Sequence, residues 1–264
     1  MVKYAFISDI HSNQVALEAV LRDIERQGIK DIHCLGDIVG YGPKPNECVD
    51  IVRSRNIPCV IGNHDHMVGN MVVLWGVNPD AAASLDWTKK VLGNDLKAYL
   101  RGLEPAMTKE GYTLAHGSPF DPLDFNYMID RSDVFWGVFS KISHKPPNIQ
   151  SQTNLGVYFI GHTHFPSIFQ FRKNQTVQDE SGVEFIKVDD GVAIQLSPDF
   201  WYVINVGSVG CPRDDDPRSC YVTFDSTTRQ VTYHKVDYDI QKTQEQMRQV
   251  RLPEALITKL EFGR

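Results

Sequence analysis

The chain has 264 residues, of which 42% are apolar and 23% charged, with 19 glycines and 14 prolines. Such proportions are those of an ordinary folded chain and exclude a fibre, a collagen-like array or a low-complexity segment. A formal charge of −6, from 33 acidic against 27 basic residues with no long basic run, excludes a protein whose main task is to coat nucleic acid.

The apolar stretch before Asp9 is too short for the core of a secretory signal, and no later run approaches the ~18 residues of a membrane helix. The five cysteines, Cys34, Cys48, Cys59, Cys211 and Cys220, are odd in number, widely spaced and free of C-x-x-C. Neither a disulfide framework nor a thiolate zinc site is expected, and a reduced, cytoplasmic protein is.

In chain order, Val2 to Ile7 reads as a strand and Asn13 to Gln27 as a helix closed by Gly28. His33 to Leu35 is a second strand, Pro45 to Ser54 a second helix and Cys59 to Ile61 a third strand. This alternation implies a parallel α/β core. Helical patterns follow over Ala81 to Leu92, Asp95 to Leu103 and Asp130 to Lys141, the last preceding a Pro-, Ser- and Gln-rich loop from Ser143 to Thr153.

From Met107 onward β-type runs dominate: Tyr112 to Ala115, Val157 to Ile160, Ser167 to Arg172, Val183 to Val188, Val192 to Leu196, Trp201 to Asn205, Tyr221 to Phe224 and Val231 to Lys235. They imply a second sheet. Asp239 to Leu260 reads as two short helices divided at Pro253 and packed on the outside. No repeat and no linker divides the chain, so one domain over 1–264 is expected, with a helical cap insertion around 66–150.

Successive side chains of an extended segment point to opposite faces, so Asp9 and His11, at the end of the first strand, can aim at one point. With 23 Asp and 9 His, about one D-x-H is expected by composition, and a second, Asp31-Ile32-His33, is present. That second pair precedes its strand and reads as an ordinary turn. Gly36-Asp37 and Gly62-Asn63-His64-Asp65 follow the second and third strands, where open α/β sheets bind ligands. Either Asp37 or Asn63 alone could be a helix cap. His116 and the pair His162 and His164 also terminate apolar strands. His66 reads as a solvated loop residue, and His144 and His234 as surface or strand residues.

The ordered blocks D-x-H, G-D-x-x-G, G-N-H-D, H-G and G-H-T-H, spanning about residues 4–208, resemble the calcineurin-like metallophosphoesterase superfamily. The resemblance implies an α/β fold of two mixed β-sheets packed face to face and flanked by helices, a four-layer αββα arrangement. It implies two divalent metal ions, one held by Asp9, His11, Asp37 and His164 and the other by Asp37, Asn63, His116 and His162. Imidazole, carboxylate and amide donors without thiolate suit Mn, Fe, Zn or Co. By the same resemblance His64 faces the substrate as catalytic residue while a metal-bridging hydroxide is expected to attack phosphorus, and Asp65, its neighbour in the chain, is a candidate to orient it.

The segment Asn205-Val-Gly-Ser208 to Arg213 resembles the N-x-G-S segment of bacterial members. Arg213 is a candidate phosphate contact, unless Arg213 and Arg218 merely neutralise Asp214, Asp215 and Asp216. Asn13, Tyr41 and Phe120 are candidates to line the cleft. Gly40-Tyr41-Gly42 departs from the D-R-G of Ser/Thr protein phosphatases, and no basic tract matches the nucleases. The second block and the Asn205 segment look most like small bacterial phosphodiesterases and relatives of diadenosine-tetraphosphate hydrolases.

A small phosphodiester or nucleotide-type substrate is therefore expected, with nucleic acid only as a short or nucleotide-like substrate, no membrane partner, and room for a homo-oligomer. The aromatics Phe120, Phe125, Tyr127, Phe135, Trp136 and Phe139 either cap the site or form helix core or a dimer contact. The competing function is a catalytically weak metal-binding scaffold that recruits a protein partner. That function predicts missing ligands, and none of the eight block residues is missing.

Overall fold

The structure is a computed structural model that describes residues 3–73, 76–109, 111–143, 156–173 and 179–264. Val2, His144 and the loop over 144–153 lie outside the described residues. The strands form two sheets. The first contains β1 (Lys3–Ile7), β2 (Asp31–Cys34), β8 (Ala193–Gln195), β10 (Ser219–Asp225) and β11 (Gln230–Val236), in the order β2-β1-β10-β11-β8. The second contains β3 (Ala106–Lys109), β4 (Tyr112–Ala115), β5 (Val157–Ile160), β6 (Ser167–Arg172), β7 (Val183–Ile186) and β9 (Phe200–Asn205), in the order β3-β4-β5-β9-β6-β7.

Both sheets are mixed. β1 runs parallel to β2 and antiparallel to β10, while β4, β5 and β9 are mutually parallel, β3 pairs antiparallel with β4, and β6 lies antiparallel between β9 and β7. Strand alternation builds the layers. Phe6, Val222, Phe224, Phe159, Tyr202 and Ile204 fill the space between the sheets, and the Phe6 and Phe159 rings stack across it at 4.0 Å. The alternate residues of β1, Ala5 and Ile7, face α1 (Gln14–Arg26) and α2 (Pro45–Ser54). Tyr158, Ile160 and Val203 of the other sheet face α6 (Arg131–Val134), which continues through a π turn (Phe135–Phe139) into α7 (Ser140–Ser143).

Local chemistry sets the helix starts. The Asn13 side chain accepts the Ala16 amide at 3.1 Å, and Pro45 occupies the first turn of α2, where no amide donor is needed. Asn78 and Pro79 do the same for α4 (Pro79–Val91), and Asp130 caps α6. Helices α4 and α5 (Asn94–Arg101) send Leu85, Leu96 and Leu100 into the core beneath the first sheet, joined by Leu92 just past the end of α4. At the tail, α8 (Ile240–Gln249) and α9 (Glu254–Lys259) meet at Pro253 and pack through Met247, Leu256 and Ile257.

Three sequence expectations change. Asp31 and His33 do not form a turn before their strand but lie within β2, laddered to Tyr4 and Phe6 of β1. Residues 59–61 are not a full strand but make isolated bridges, Cys59 to Cys34 and Val60 to Glu104. His66 is not a loop residue: a helix, α3 (Asn63–Gly69), begins directly at Asn63, and His66 lies inside it, half-buried with its ring 5.8 Å from Phe125. No described helix is long and apolar enough to cross a membrane.

Candidate metal centre

The parallel strands β1, β2, β4 and β5 end at one place, and their succeeding residues meet there. Asp9, His11, Asp37, His116, His162 and His164 are all buried, as are His64 and Asp65. The turns are tight enough that Asp9, His11, Asp37, His162 and His164 all have left-handed backbone, with φ of 53°, 48°, 51°, 70° and 62°. Non-glycine residues in this region cost about 1–3 kcal/mol each and persist where the surroundings over-determine them. The surroundings do so through cross-loop hydrogen bonds: Asp9 N–H to Gly36 O at 3.0 Å, His11 N–H to Asp37 O at 2.9 Å and Gly161 N–H to His116 O at 2.9 Å.

The two carboxylates are built alike. Asp37 Oδ1 accepts the His64 amide at 2.8 Å, and Asp9 Oδ2 accepts the His162 amide at 3.0 Å. Each therefore has one oxygen anchored to backbone and one turned into the cluster. Asp37 Oδ2 lies 3.3 Å from His116 Nε2 and 3.7 Å from His11 Nε2. Asp9 Oδ1 lies 3.2 Å from His164 Nε2. Asn63 contributes its Oδ1, 3.2 Å from His116 Nε2.

The imidazoles are held by backbone carbonyls. His11 Nδ1 is 3.1 Å from Val39 O, His116 Nδ1 is 2.7 Å from Leu35 O, and His164 Nδ1 is 2.5 Å from Cys211 O. A carbonyl can only accept, so each neutral ring carries its proton on Nδ1 and presents an Nε2 lone pair to the cluster. His11 Nε2 and His164 Nε2 then face each other at 3.0 Å, repulsive when both rings are neutral and relieved by a proton on one of them or by a cation against both. Asp9 Oδ1 and His162 Nε2 are buried and make no well-formed hydrogen bond among the described residues.

Outward-held protons, converging lone pairs and unpartnered buried acceptors fit divalent cations, whose histidine ligands commonly donate the other ring N–H to a carbonyl. Three donor groups are compact enough to hold an ion: Asp9, His11 and His164; Asp37, His116 and His162; and His11, Asp37 and His64, each with donor atoms within 4.8 Å of one another.

The electrostatics follow from burial among opposite charges. Burial alone would raise Asp9 and Asp37, but His164 and His116 around Asp9, and His116, His64 and His11 around Asp37, hold both far below the carboxylate range. Burial would lower His116, yet Asp37 and Asp9 push it up to about 10. His64 and His162 are depressed, chiefly by burial, to about 4 and about 3. A proton on His116 Nε2 occupies the lone pair that a cation would need, so an ion bound there would displace it.

Asp65 acts through backbone. Its carboxylate accepts the Val39 amide at 3.1 Å and the Gly62 amide at 3.2 Å, tying the loop after β2 to the start of α3 and so fixing where Asn63 and His64 begin. Burial and the nearby Asp37 push it up to about 8. The His64 ring packs so closely on Gly40 (φ 93°) that a Cβ there would lie 2.2 Å from Nδ1.

The Asn205 segment buttresses the same turns. Asn205 Nδ2 donates to Gly161 O at 2.6 Å and to Thr163 Oγ1 at 2.9 Å, and Ser208 Oγ donates to Asp9 O at 2.9 Å. Arg213 does not neutralise the acidic run behind it. Asp214 pairs with Lys235, Asp215 with Arg264, and Asp216 with Arg218, which also reaches Asp190. Arg213 instead donates to the Tyr41 hydroxyl at 3.2 Å, and the Tyr41 ring lies 4.5 Å from His11 and 4.7 Å from His64.

The remaining candidates divide. Asn13 is a helix cap that also donates to Gly210 O at 3.0 Å, and the Phe120 ring lies 6.0 Å from Tyr158. Phe135 and Phe139 are core against Phe171, and Trp136 is exposed. Phe125 lies 6.2 Å from His116, and Tyr127 stacks on His162 at 3.9 Å. Sequence reasoning missed the wall formed by Val77, Asn78 and Ala81, which with Leu123 and Phe125 bounds a cavity of about 470 Å³ reaching Asn63, His64 and His162.

A family model described as "Calcineurin-like phosphoesterase superfamily domain" matches residues 2–229. The chain belongs to the calcineurin-like phosphoesterase superfamily. It is 36% identical over 266 residues to an uncharacterized protein of Methanocaldococcus jannaschii, with 98% of each chain covered. Among solved structures, a metallophosphoesterase from Sphaerobacter thermophilus superposes with a TM-score of 0.80 at 37% identity, covering 100% of this chain and 99% of that one. A hypothetical protein from Pyrococcus horikoshii superposes with a TM-score of 0.74 at 19% identity, covering 100% and 99%, a likeness of fold. The two mixed sheets with flanking helices are thus the fold of the superfamily.

Proposed function

We propose that the protein is a divalent-metal-dependent phosphoesterase hydrolysing a small phosphodiester or nucleotide-type substrate. The observation that carries this reading is the convergence of carbonyl-oriented Nε2 lone pairs on two half-anchored carboxylates. Asp9, His11, Asp37 and His164 hold one ion, and Asp37, Asn63, His116 and His162 a second, with Mn, Fe, Zn or Co suited to the donor set. Bound ions supply an acidified water as nucleophile and Lewis-acid polarisation of a phosphoryl oxygen.

The chain's own residues orient and protonate. Arg213, free of the acidic run and steadied by Tyr41, matches phosphoryl oxygens with its guanidinium. His64 borders the cavity, and burial biases its ring toward the neutral form, whose N–H can donate to a substrate oxygen. Delivery of a whole proton to the leaving alkoxide requires the phosphate's negative charge to raise His64 first. Asp65 keeps His64 in place by capping its helix.

The same reading takes 1–264 as one domain whose segment around 66–150 caps the site, supported by the cavity wall it supplies through Val77, Ala81, Leu123 and Phe125. The partner is a small phosphorylated molecule. The five cysteines are all free and buried, which suits a reducing cytoplasm.

The test is to strip the protein with chelator, restore Mn, Fe, Zn, Co or Mg singly, and follow hydrolysis of bis(p-nitrophenyl) phosphate and p-nitrophenyl phosphate. Metal-restored turnover is expected, reduced by about 10²-fold in His64→Ala. Two bound ions per chain without turnover of either ester would count against it.

A further inference from the structure

We infer that the site, on the phosphoesterase reading above, accepts an ester whose departing group is uncharged and excludes departing groups that carry a second phosphate or another anion. The cavity that meets Asn63, His64 and His162 has about 470 Å³, room for an aryl or nucleoside-sized group beyond the phosphoryl centre. Its wall is made by Val77, Ala81, Leu123 and Phe125, with Asn78 and Tyr127 as neutral polar members. Among the described residues that line it there is no lysine or arginine.

The charge that the wall does carry is negative. Asp124 borders the cavity, is exposed, and has no ion pair among the described residues. Its neighbour Asp121 differs, being paired with Lys141. Arg213 is a cation beside the cluster, bonded to the hydroxyl of Tyr41, itself a lining residue, and on the reading above its guanidinium is taken up by the reacting phosphoryl group. A nucleoside polyphosphate reacting at one phosphorus would have to lay its further phosphates along this wall. Among the described lining residues they would find no guanidinium or ammonium, and would meet Asp124. A simple diester places only apolar or neutral atoms in the same space, where Leu123 and Phe125 bury them.

The inference is tested with two nearly isosteric ligands that differ only in charge, 4-carboxyphenylphosphonate and 4-carbamoylphenylphosphonate. Their binding to the Mn-reconstituted protein is measured by calorimetry, alongside turnover of bis(p-nitrophenyl) phosphate. The carbamoyl compound is expected to bind about tenfold more tightly at low salt, the gap shrinking as salt is added. Asp124→Asn is expected to close most of the gap, and Asp121→Asn, whose charge is already paired, to leave most of it. Equal or tighter binding of the carboxylate with esterase turnover intact overturns the inference and leaves the phosphoesterase reading standing, as does a gap untouched by Asp124→Asn. Loss of both ligands together with all turnover overturns the two readings at once.

Discussion

The tripeptide Asp-Ile-His occurs twice, as Asp9-Ile10-His11 after β1 and as Asp31-Ile32-His33 within β2, on adjacent parallel strands. The copies have opposite fates. Asp9 and His11 leave their strand, enter left-handed backbone and face other buried donors. Asp31 and His33 stay in the ladder opposite Tyr4 and Phe6, at the other end of the sheet. His33 is buried too, its Nδ1 also lacks a partner among the described residues, and it borders a cavity of about 760 Å³, larger than the one at the candidate metal centre. Its ring, however, packs on Tyr4, Phe6 and Tyr112 at 5.7–5.9 Å, and among the described residues it belongs to no group of converging donors. Neither burial, an unpartnered nitrogen nor cavity volume distinguishes the two ends. Convergence of several donors does, and it arises because the parallel strands of both sheets stop together.

The largest expected effects come from setting the copies against each other. His11→Ala should lower ion affinity or turnover by at least about 100-fold. His33→Ala should keep both ions and activity while losing about 2–3 kcal/mol of stability through lost packing. Metal content per chain and urea midpoints check both. The sign of the pH response sharpens the contrast. Burial, helped by Lys109 and opposed by Asp31, lowers His33 from its ordinary 6.5 to about 4, so the folded chain favours the neutral ring. His33 therefore contributes stability that is fully present above pH 6.5 and lost as pH falls toward 4. His33→Gln should flatten the urea midpoint over that interval.

A smaller effect separates two glycines of similar backbone. Gly40 (φ 93°) and Gly28 (φ 73°) both lie in the left-handed region, so alanine at either strains the backbone by about 1–2 kcal/mol. Around Gly28 an added Cβ meets nothing within 4 Å, whereas at Gly40 it meets His64. Gly40→Ala should cut kcat by about 10- to 100-fold with both ions retained, because His64 must move. Gly28→Ala should leave kcat unchanged.

Much of the fold is legible because strands buried on both faces stand out as short apolar runs between polar turns. Tyr112–Ala115, Val157–Ile160 and Ser167–Arg172 have the bounds that their patterns imply, as does the helix Pro45–Ser54. The site residues are legible for a related reason: polar groups stand directly after apolar strands. What fails does so where function overrides pattern. Helix α3 starts within Gly-Asn-His-Asp, whose polar residues hide its periodicity. The partners of Asp214, Asp215 and Asp216 include Lys235 and Arg264, far along the chain, so spacing could not free Arg213 from its neighbours. The carbonyls of Leu35, Val39 and Cys211 that set the histidine tautomers carry no side-chain signal at all.

The aromatic run from Phe120 to Phe139 is the hardest case, since a linear pattern does not tell which ring faces the site. Phe135 and Phe139 go to the core, Trp136 is 57% exposed against Phe135, and Tyr127, 48% exposed, stacks on His162 at an interplanar angle of 22°. Tyr127 therefore has two separable roles: it shields one face of the His162 ring, and it lines the cavity. If cavity lining dominates, Tyr127→Ala should raise KM about 3- to 10-fold for aryl esters, the range of one aromatic contact, while leaving alkyl esters and metal content alone. If shielding dominates, ion retention should fall and kcat with it for both ester types. Trp136→Ala should change none of these quantities, because its ring touches neither the cavity wall nor a donor of the cluster.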